Sequence, residues 1–424
     1  MISRLRLIGA GRRVGLIAGP LLVAAGLWLS ATPLAAKDTA DPPQASCRTT
    51  IAIIDSGFPG ARVNGCRADA DRRVRVIIAP EDPPPINPSP WYAFRVLPLA
   101  AGTLTVDLSY THAKHRYWPK RSVDGHSWHR LPQEAVELAD GTDGPVRLTL
   151  PLDGKPFFIA GQELVTNADH ERWMDRMAAL PFAGKALLGR SVEDRPIHKL
   201  EAAAAGPTAR WVVIVGRQHP PEVPGALALM AFVQTLLDDT ALARAFRARV
   251  NILVVPNLNP DGVVHGHWRH NARGTDLNRD WGPFEQPETR LMQAELARLT
   301  AGGAGGLALF LDFHATRRNL FYTQPDEAVT DPPDFTRRWL AAAGPRLDGY
   351  AFTREPTKIE GRATAMRYVH NRWATPTVTY EVGDETDRLA IDHSAMVLAQ
   401  EAMRVLLDDG GPVPPTPSAR QTTR

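Results

Sequence analysis

Cysteine is scarce: Cys47 and Cys66 are the only two in 424 residues. That excludes a small disulfide scaffold and any zinc or iron–sulfur centre built from several thiolates. A dominant charge is also missing, since 49 Lys and Arg face 46 Asp and Glu for a formal net charge of +3. A nucleic-acid binder would carry a basic excess, so that class is set aside. No segment repeats itself along the chain, which excludes a repeat architecture. What remains, 44% hydrophobic and 22% charged residues, describes a globular protein rather than a coiled coil, a collagen or a disordered chain. At about 150 residues per domain the length suits two or three domains with ample core. The 37 prolines are the one unusual count, and they gather in particular places.

Residues 1–36 stand apart. Arg4, Arg6, Arg12 and Arg13 precede an apolar run from Val14 to Leu29, and small residues follow at Ala31, Ala35 and Ala36. A basic start, an apolar middle and a small-residue end are the pattern of a secretory signal peptide. The apolar run, roughly 16 residues, falls short of the ~20 that span a bilayer. The expectation is therefore cleavage and export, periplasmic or secreted, with no stable membrane span afterwards; a retained membrane anchor is the alternative. The Arg12–Arg13 pair also permits a twin-arginine route. Removing this segment takes away four arginines and no acid, so the net charge moves from +3 to −1. In an oxidising compartment Cys47 and Cys66 are expected to form one structural disulfide.

Two composition regimes follow, read here as a domain over 37–166 and another over 167–409, with 410–424 too polar and proline-rich to pack. In the first, TLTVDLSY at 103–110 and VRLTL at 146–150 alternate polar with apolar residues. A strand with one buried face requires that period. Short apolar runs at 50–54, 75–79 and 92–97 are separated by text such as EDPPPINPSP, and this spacing predicts an antiparallel β-sandwich. In the second regime, continuous apolar runs at 211–216, 250–256, 307–313 and 377–382 alternate with helical stretches at 225–247, 288–299, 334–343 and 394–407. Strands without alternation, interleaved with helices, predict an α/β domain whose mixed sheet is covered on both faces.

The chemistry sits at the ends of those runs. His219 and Glu222 follow the run at 211–216, three residues apart, and could share one cation. His314, just past LFLDF, supplies a third candidate ligand, since strand ends of an open α/β sheet converge on one crevice. Read singly, a surface salt bridge explains the His-x-x-Glu pair, and a satisfied core histidine explains His314, better than a metal does. Glu381 interrupts the apolar TVTYEV, where a carboxylate is costly to bury unless it is paired or functional. The stretch 257–281 places Arg269, Arg273 and Arg279 among asparagines and glycines, which suits anion binding, while His265, His267 and His270 there offer a competing metal site.

In order along the chain, RQHPPE, WRHNARGTDLNRDW, DFHAT and TYEVGD resemble the zinc metallocarboxypeptidase family of carboxypeptidase A and B type. IDSGFPGARV, WYAFRV, YWPKRSVDGHSWHRL and VRLTLPLDGKPFFIA resemble the β-sandwich that precedes the catalytic domain in its cytosolic-carboxypeptidase-like branch. LLGRSVEDRPIHKLE resembles the opening motif, with Asp194 where that motif has glycine. The resemblance implies one zinc per chain held by His219, Glu222 and His314. It also implies Arg269 as the group that polarises the scissile carbonyl, and Asn278 and Arg279 as the pair that holds a terminal carboxylate. Glu381 would be the general base for a metal-activated water. The implied partner is a peptide or peptide-like substrate with a free C-terminal carboxylate, and the implied activity is release of C-terminal residues. Two positions depart from the pattern: the usual substrate-capping tyrosine falls near Ile359, and the specificity position near Met366, between Arg362 and Arg367. An amidase or cell-wall-peptide hydrolase using the same site, and a carboxylate-binding pseudoenzyme, remain as alternatives. The oligomeric state is not legible.

Overall fold

The computed structural model describes residues 45–138, 145–203, 205–301, 305–357 and 361–409. The expected signal segment, the tail 410–424 and Ile359 lie outside them.

The first part of the chain supplies eleven strands: β1 (Cys47–Arg48), β2 (Ala52–Asp55), β3 (Gly65–Ala70), β4 (Arg73–Ile78), β5 (Ala93–Pro98), β6 (Gly102–Tyr110), β7 (Lys120–Ser122), β8 (His129–Arg130), β9 (Val136–Leu138), β10 (Val146–Leu152) and β11 (Phe157–Ala160). They form two sheets, ordered β1-β2-β5-β11-β7-β8 and β3-β4-β6-β10-β9. Alternation decides the inward faces. Leu104, Val106 and Leu108 on one sheet and Phe94, Val96, Phe157 and Ile159 on the other bury into one shared core. Pairing is antiparallel except between β4 and β6. There the chain crosses to β5 in the opposite sheet and returns, so the two flanking strands run the same way. Cys47 and Cys66 are bonded, with Cα atoms 5.4 Å apart. The bond ties β1 of one sheet to β3 of the other, and a loop of this size is worth about 3 kcal/mol in the chain-entropy account.

After α1 (Asn167–Ala178) come β12 (Gly184–Arg190), β13 (Pro196–Ala202), β14 (Arg210–Gly216), α2 (Val223–Leu237), α3 (Ala241–Arg247), β15 (Val250–Val255), α4 (Pro260–His265) and α5 (Pro287–Leu299). The chain continues through β16 (Leu307–Thr316), β17 (Leu320–Thr323), α6 (Phe335–Ala343), β18 (Thr353–Pro356), α7 (Ala365–Trp373), β19 (Thr377–Gly383) and α8 (Arg388–Asp409). The eight strands form one mixed sheet, ordered β12-β13-β15-β14-β16-β19-β17-β18. Both faces are covered: α2, α6 and α8 pack on one, α5 and α7 on the other. This is why β14 and β16 read as unbroken apolar runs; each fully buried Val, Leu or Ile side chain there contributes about 1.5–3 kcal/mol.

The helical stretch expected at 225–247 is two helices, with α3 bent 87° from α2. Thr240 caps α3 by accepting from the Ala243 amide, so the polar 238–240 connection starts a new helix instead of continuing the old one. No single described helix is long and apolar enough to cross a membrane. The sandwich and the α/β layer share packing: Val223 and Trp268 of the second part belong to the sandwich core, and the described residues fall in one compact unit.

Candidate active site

Strands β14, β16 and β19 lie side by side and parallel, so their C-terminal ends open onto one crevice. Past β14 the chain turns at Arg217, with φ 53°, and delivers His219 and then Glu222 at the start of α2. Gly225 is what lets α2 approach: a Cβ there would lie 2.4 Å from the His314 carbonyl oxygen. His314 sits near the end of β16, and the register sets it opposite Glu381 on β19. The sequence-distant residues 219, 222, 314 and 381 are thus gathered by strand register and one glycine contact.

His219 and His314 present Nδ1 to one another at 3.2 Å. The Glu222 carboxylate lies 2.9 Å from His219 Nδ1 and 2.7 Å from His314 Nδ1. The far nitrogens are already occupied. His219 Nε2 lies 2.9 Å from Asp276 Oδ1, and His314 Nε2 lies 2.8 Å from Asp312 Oδ2. With a cation on the two Nδ1 atoms, each Nε2 would donate its proton to the aspartate behind it, the usual second partner of a metal-ligating imidazole. Two Nδ1 atoms and a buried carboxylate converging within 3.2 Å of one another suit a cation. The 3.2 Å spacing also fits the edge of a tetrahedron with bonds of about 2.0–2.1 Å. His219, Glu222 and His314 are therefore a donor set that fits zinc.

Electrostatics point the same way. Glu222, Asp276, Asp312 and Glu381 surround the two histidines, more negative charge than Arg269 alone balances. Glu381 Oε2 is buried without a hydrogen-bond partner. Burial, with the Glu222 carboxylate nearby, pushes Glu381 up to about 7. Burial would also raise Asp276, but His219 and Arg269 hold it well below the usual carboxylate range.

Arg269 is fastened by Nε to Asp276 Oδ2 at 2.8 Å, and its Nη1 lies 3.9 Å from Glu222. Asn278 accepts the Ala365 amide at the start of α7 and reaches His314 Nε2 at 3.3 Å. Arg279 donates to the Asn278 carbonyl. Arg269, Asn278 and Arg279 border the same cavity, of about 600 Å³, as His219, Glu222, His314 and Glu381. Arg279, Arg317, Arg362 and Arg367 also line it, and none has a carboxylate partner among the described residues. Tyr322, from β17, lines it as well. The sandwich closes one wall with Ser89 and Arg116, the latter paired with Asp384 at 2.7 Å.

Of the competing histidines, His265 and His267 stack with ring centroids 5.4 Å apart, while His270 turns to Glu81 and Asp82, so the three do not form one ligand set. His265 bonds Glu193, His267 bonds the His270 carbonyl, and His270 bonds Asp82. Arg273 is exposed. Asp194 adopts φ 62°, the left-handed conformation that glycine takes without strain. Sequence reasoning missed Asp276, Asp312 and Gln218. Gln218 donates to Asp312 and accepts from Trp281, completing a chain of bonds behind His314. The available signal was an acid two residues before a ligand histidine, DFH, and another two before the Asn-Arg pair, DLNR.

The Peptidase M14 family, zinc carboxypeptidase, matches residues 170–394, more than half of the chain. An uncharacterised protein of Zymomonas mobilis is 24% identical over 237 residues, 54% of this chain and 59% of that one. Cytosolic carboxypeptidase 6 of Mus musculus is 29% identical over 136 residues, 30% of this chain and 25% of that protein. The chain thus covers less than two thirds of the length of either relative. Among solved structures, a metallo-carboxypeptidase from Burkholderia cenocepacia superposes with a TM-score of 0.71 at 20% identity, covering 85% of this chain and 99% of that one. A metallo-carboxypeptidase from Pseudomonas aeruginosa in complex with (2-guanidinoethylmercapto)succinic acid gives 0.66 at 24% identity, covering 84% of this chain and 99% of that one. At these identities the superpositions establish the carboxypeptidase-like fold, and the family match goes further: the chain belongs to the zinc carboxypeptidases.

Proposed function

We propose that the chain is an exported zinc carboxypeptidase that removes C-terminal residues from peptides, with acidic terminal side chains favoured. One observation carries the reading. The Nδ1 atoms of His219 and His314 and the Glu222 carboxylate converge in the same cavity as a Glu381 oxygen with no hydrogen-bond partner, and arginines with no carboxylate partner, among the described residues. Arg279 and Asn278 would hold the terminal carboxylate, the guanidinium through a forked pair of hydrogen bonds. Arg317, Arg362 and Arg367 add positive charge around that end of the substrate. Arg269, steadied by Asp276, turns its remaining N–H groups to the carbonyl oxygen, where negative charge develops. Zinc, when bound by the His-Glu-His set, supplies Lewis acidity to the reaction. Glu381 takes a proton from the attacking water and returns it to the departing amine nitrogen; a base poised near 7 suits both directions of transfer.

The wall formed by Ser89 and Arg116 favours a second reading, in which the substrate is a short or branched peptide such as a cell-wall stem. Export rests on the basic and apolar pattern of residues 1–36 together with the Cys47–Cys66 bond. A peptide panel tests the reading. Peptides ending in Glu or Asp with a free carboxylate should be shortened from the C-terminus, and the same peptides amidated at that end should not. Equal cleavage of both forms would remove Asn278 and Arg279 from their role. Muropeptide fragments cleaved while linear peptides stay intact would favour the second reading.

A further inference from the structure

The loop carrying Arg269 is held by a side chain from the other part of the molecule. Glu81, in the connection after β4, is buried against that loop. Its Oε1 accepts from the backbone amides of Arg269 at 2.8 Å and His270 at 2.7 Å, and its Oε2 accepts from the Trp268 amide at 2.7 Å. Three successive N–H groups aimed at one carboxylate form a concave anion seat. Asp82 adds a 2.6 Å contact to His270 Nδ1, and the Trp268 indole donates to the Trp91 carbonyl. The backbone at Arg269 is thus fixed from the sandwich, while its guanidinium is fixed by Asp276.

We propose that Glu81 is a positioning residue for Arg269: it seats the backbone from which the guanidinium reaches the scissile carbonyl. This rests on the role given to Arg269 above. A group that stabilises developing charge acts only when already in place, and misplacement by about 1 Å can cost ~100-fold in rate. Glu81 sets the root of that side chain without touching substrate. A glutamine at this position keeps one acceptor oxygen but turns an NH₂ toward amides that can only donate. The seat would then lose at least one bond, and the loop would shift.

The test compares Glu81→Gln, Arg269→Gln and the double variant with wild type, each zinc-loaded, by steady-state kinetics on a C-terminal Glu peptide and by amide hydrogen exchange. Glu81→Gln should lose roughly 10–100-fold in kcat, the scale of a lost outer-shell contact, with KM and zinc content little changed and exchange faster at 268–270. In the Arg269→Gln background it should cause no further loss. Wild-type kcat in Glu81→Gln overturns the proposal, as does an equal fold-loss in both backgrounds, which marks a merely structural role. If Glu81→Gln does not fold, Glu81→Asp, which keeps the charge and shortens the reach, enters the same comparison. A wild type inert toward every peptide would sink the peptidase reading instead; unchanged exchange at 268–270 would then overturn the role of Glu81 on its own.

Discussion

Glu381 holds a buried carboxylate oxygen with no hydrogen-bond partner among the described residues, beside two histidines whose Nδ1 atoms face one another. Replacing it with glutamine keeps the volume and removes the proton carrier. Glu381→Gln should lose about 10²–10⁴-fold in kcat, the usual worth of a positioned base, while zinc content by metal analysis stays at wild type. Activity within a few-fold of wild type would dismiss Glu381 as the base. At this scale the residues that gather at the cavity were legible in the sequence, because a His-x-x-Glu pair or a lone acid in an apolar run stands out locally. Asp276 and Asp312 were not. Their importance lies in hydrogen bonds to ring nitrogens, and for Asp276 the partner is 57 residues away. No local pattern announces such a bond.

Elements bring these residues together, and two of them can be tested. Alanine in place of Gly225 gains about 1 kcal/mol of helix propensity. Its Cβ, however, would stand 2.4 Å from a backbone oxygen of β16, which cannot rotate away. Overpacking of this kind costs about 1–3 kcal/mol, so the clash wins. Gly225→Ala should lower Tm and weaken zinc retention against a chelator, since α2 carries Glu222. Unchanged Tm and zinc retention would show that α2 has more room than its packing implies. Glu288, at the start of α5, is tied to Asn271 and the Val192 amide. Burial, with Asp261 adding repulsion, raises it to about 7.

The unfolded carboxyl ionises near 4.5, so the contribution of Glu288 to stability is complete below that pH and is lost as pH rises toward 7. Thermal unfolding from pH 5 to 8 should show a fall in Tm that is shallower in Glu288→Gln; parallel curves would contradict the shift. Strand and helix positions were readable from period and apolar content. The bend between α2 and α3 was not, because a three-residue connection with a capping threonine resembles an ordinary amphipathic turn.

At the scale of the whole molecule, the sandwich and the α/β layer are joined by charged contacts, and Arg116 in one of them borders the cavity. Arg116 pairs with Asp384, and Arg388 pairs with Glu163. The cleft therefore has a wall the α/β layer alone could not supply. That junction was invisible in the sequence, where each partner reads as an ordinary surface charge more than two hundred positions from its mate. The proposed zinc-dependent exopeptidase activity is tested most directly by mass spectrometry of one peptide ending in several glutamates, incubated with the metal-free protein and with the same sample given one equivalent of zinc. No change is expected in the first, and in the second a ladder shortened one residue at a time from the C-terminus. An intact peptide in the zinc-loaded sample, or the same ladder without metal, would contradict it.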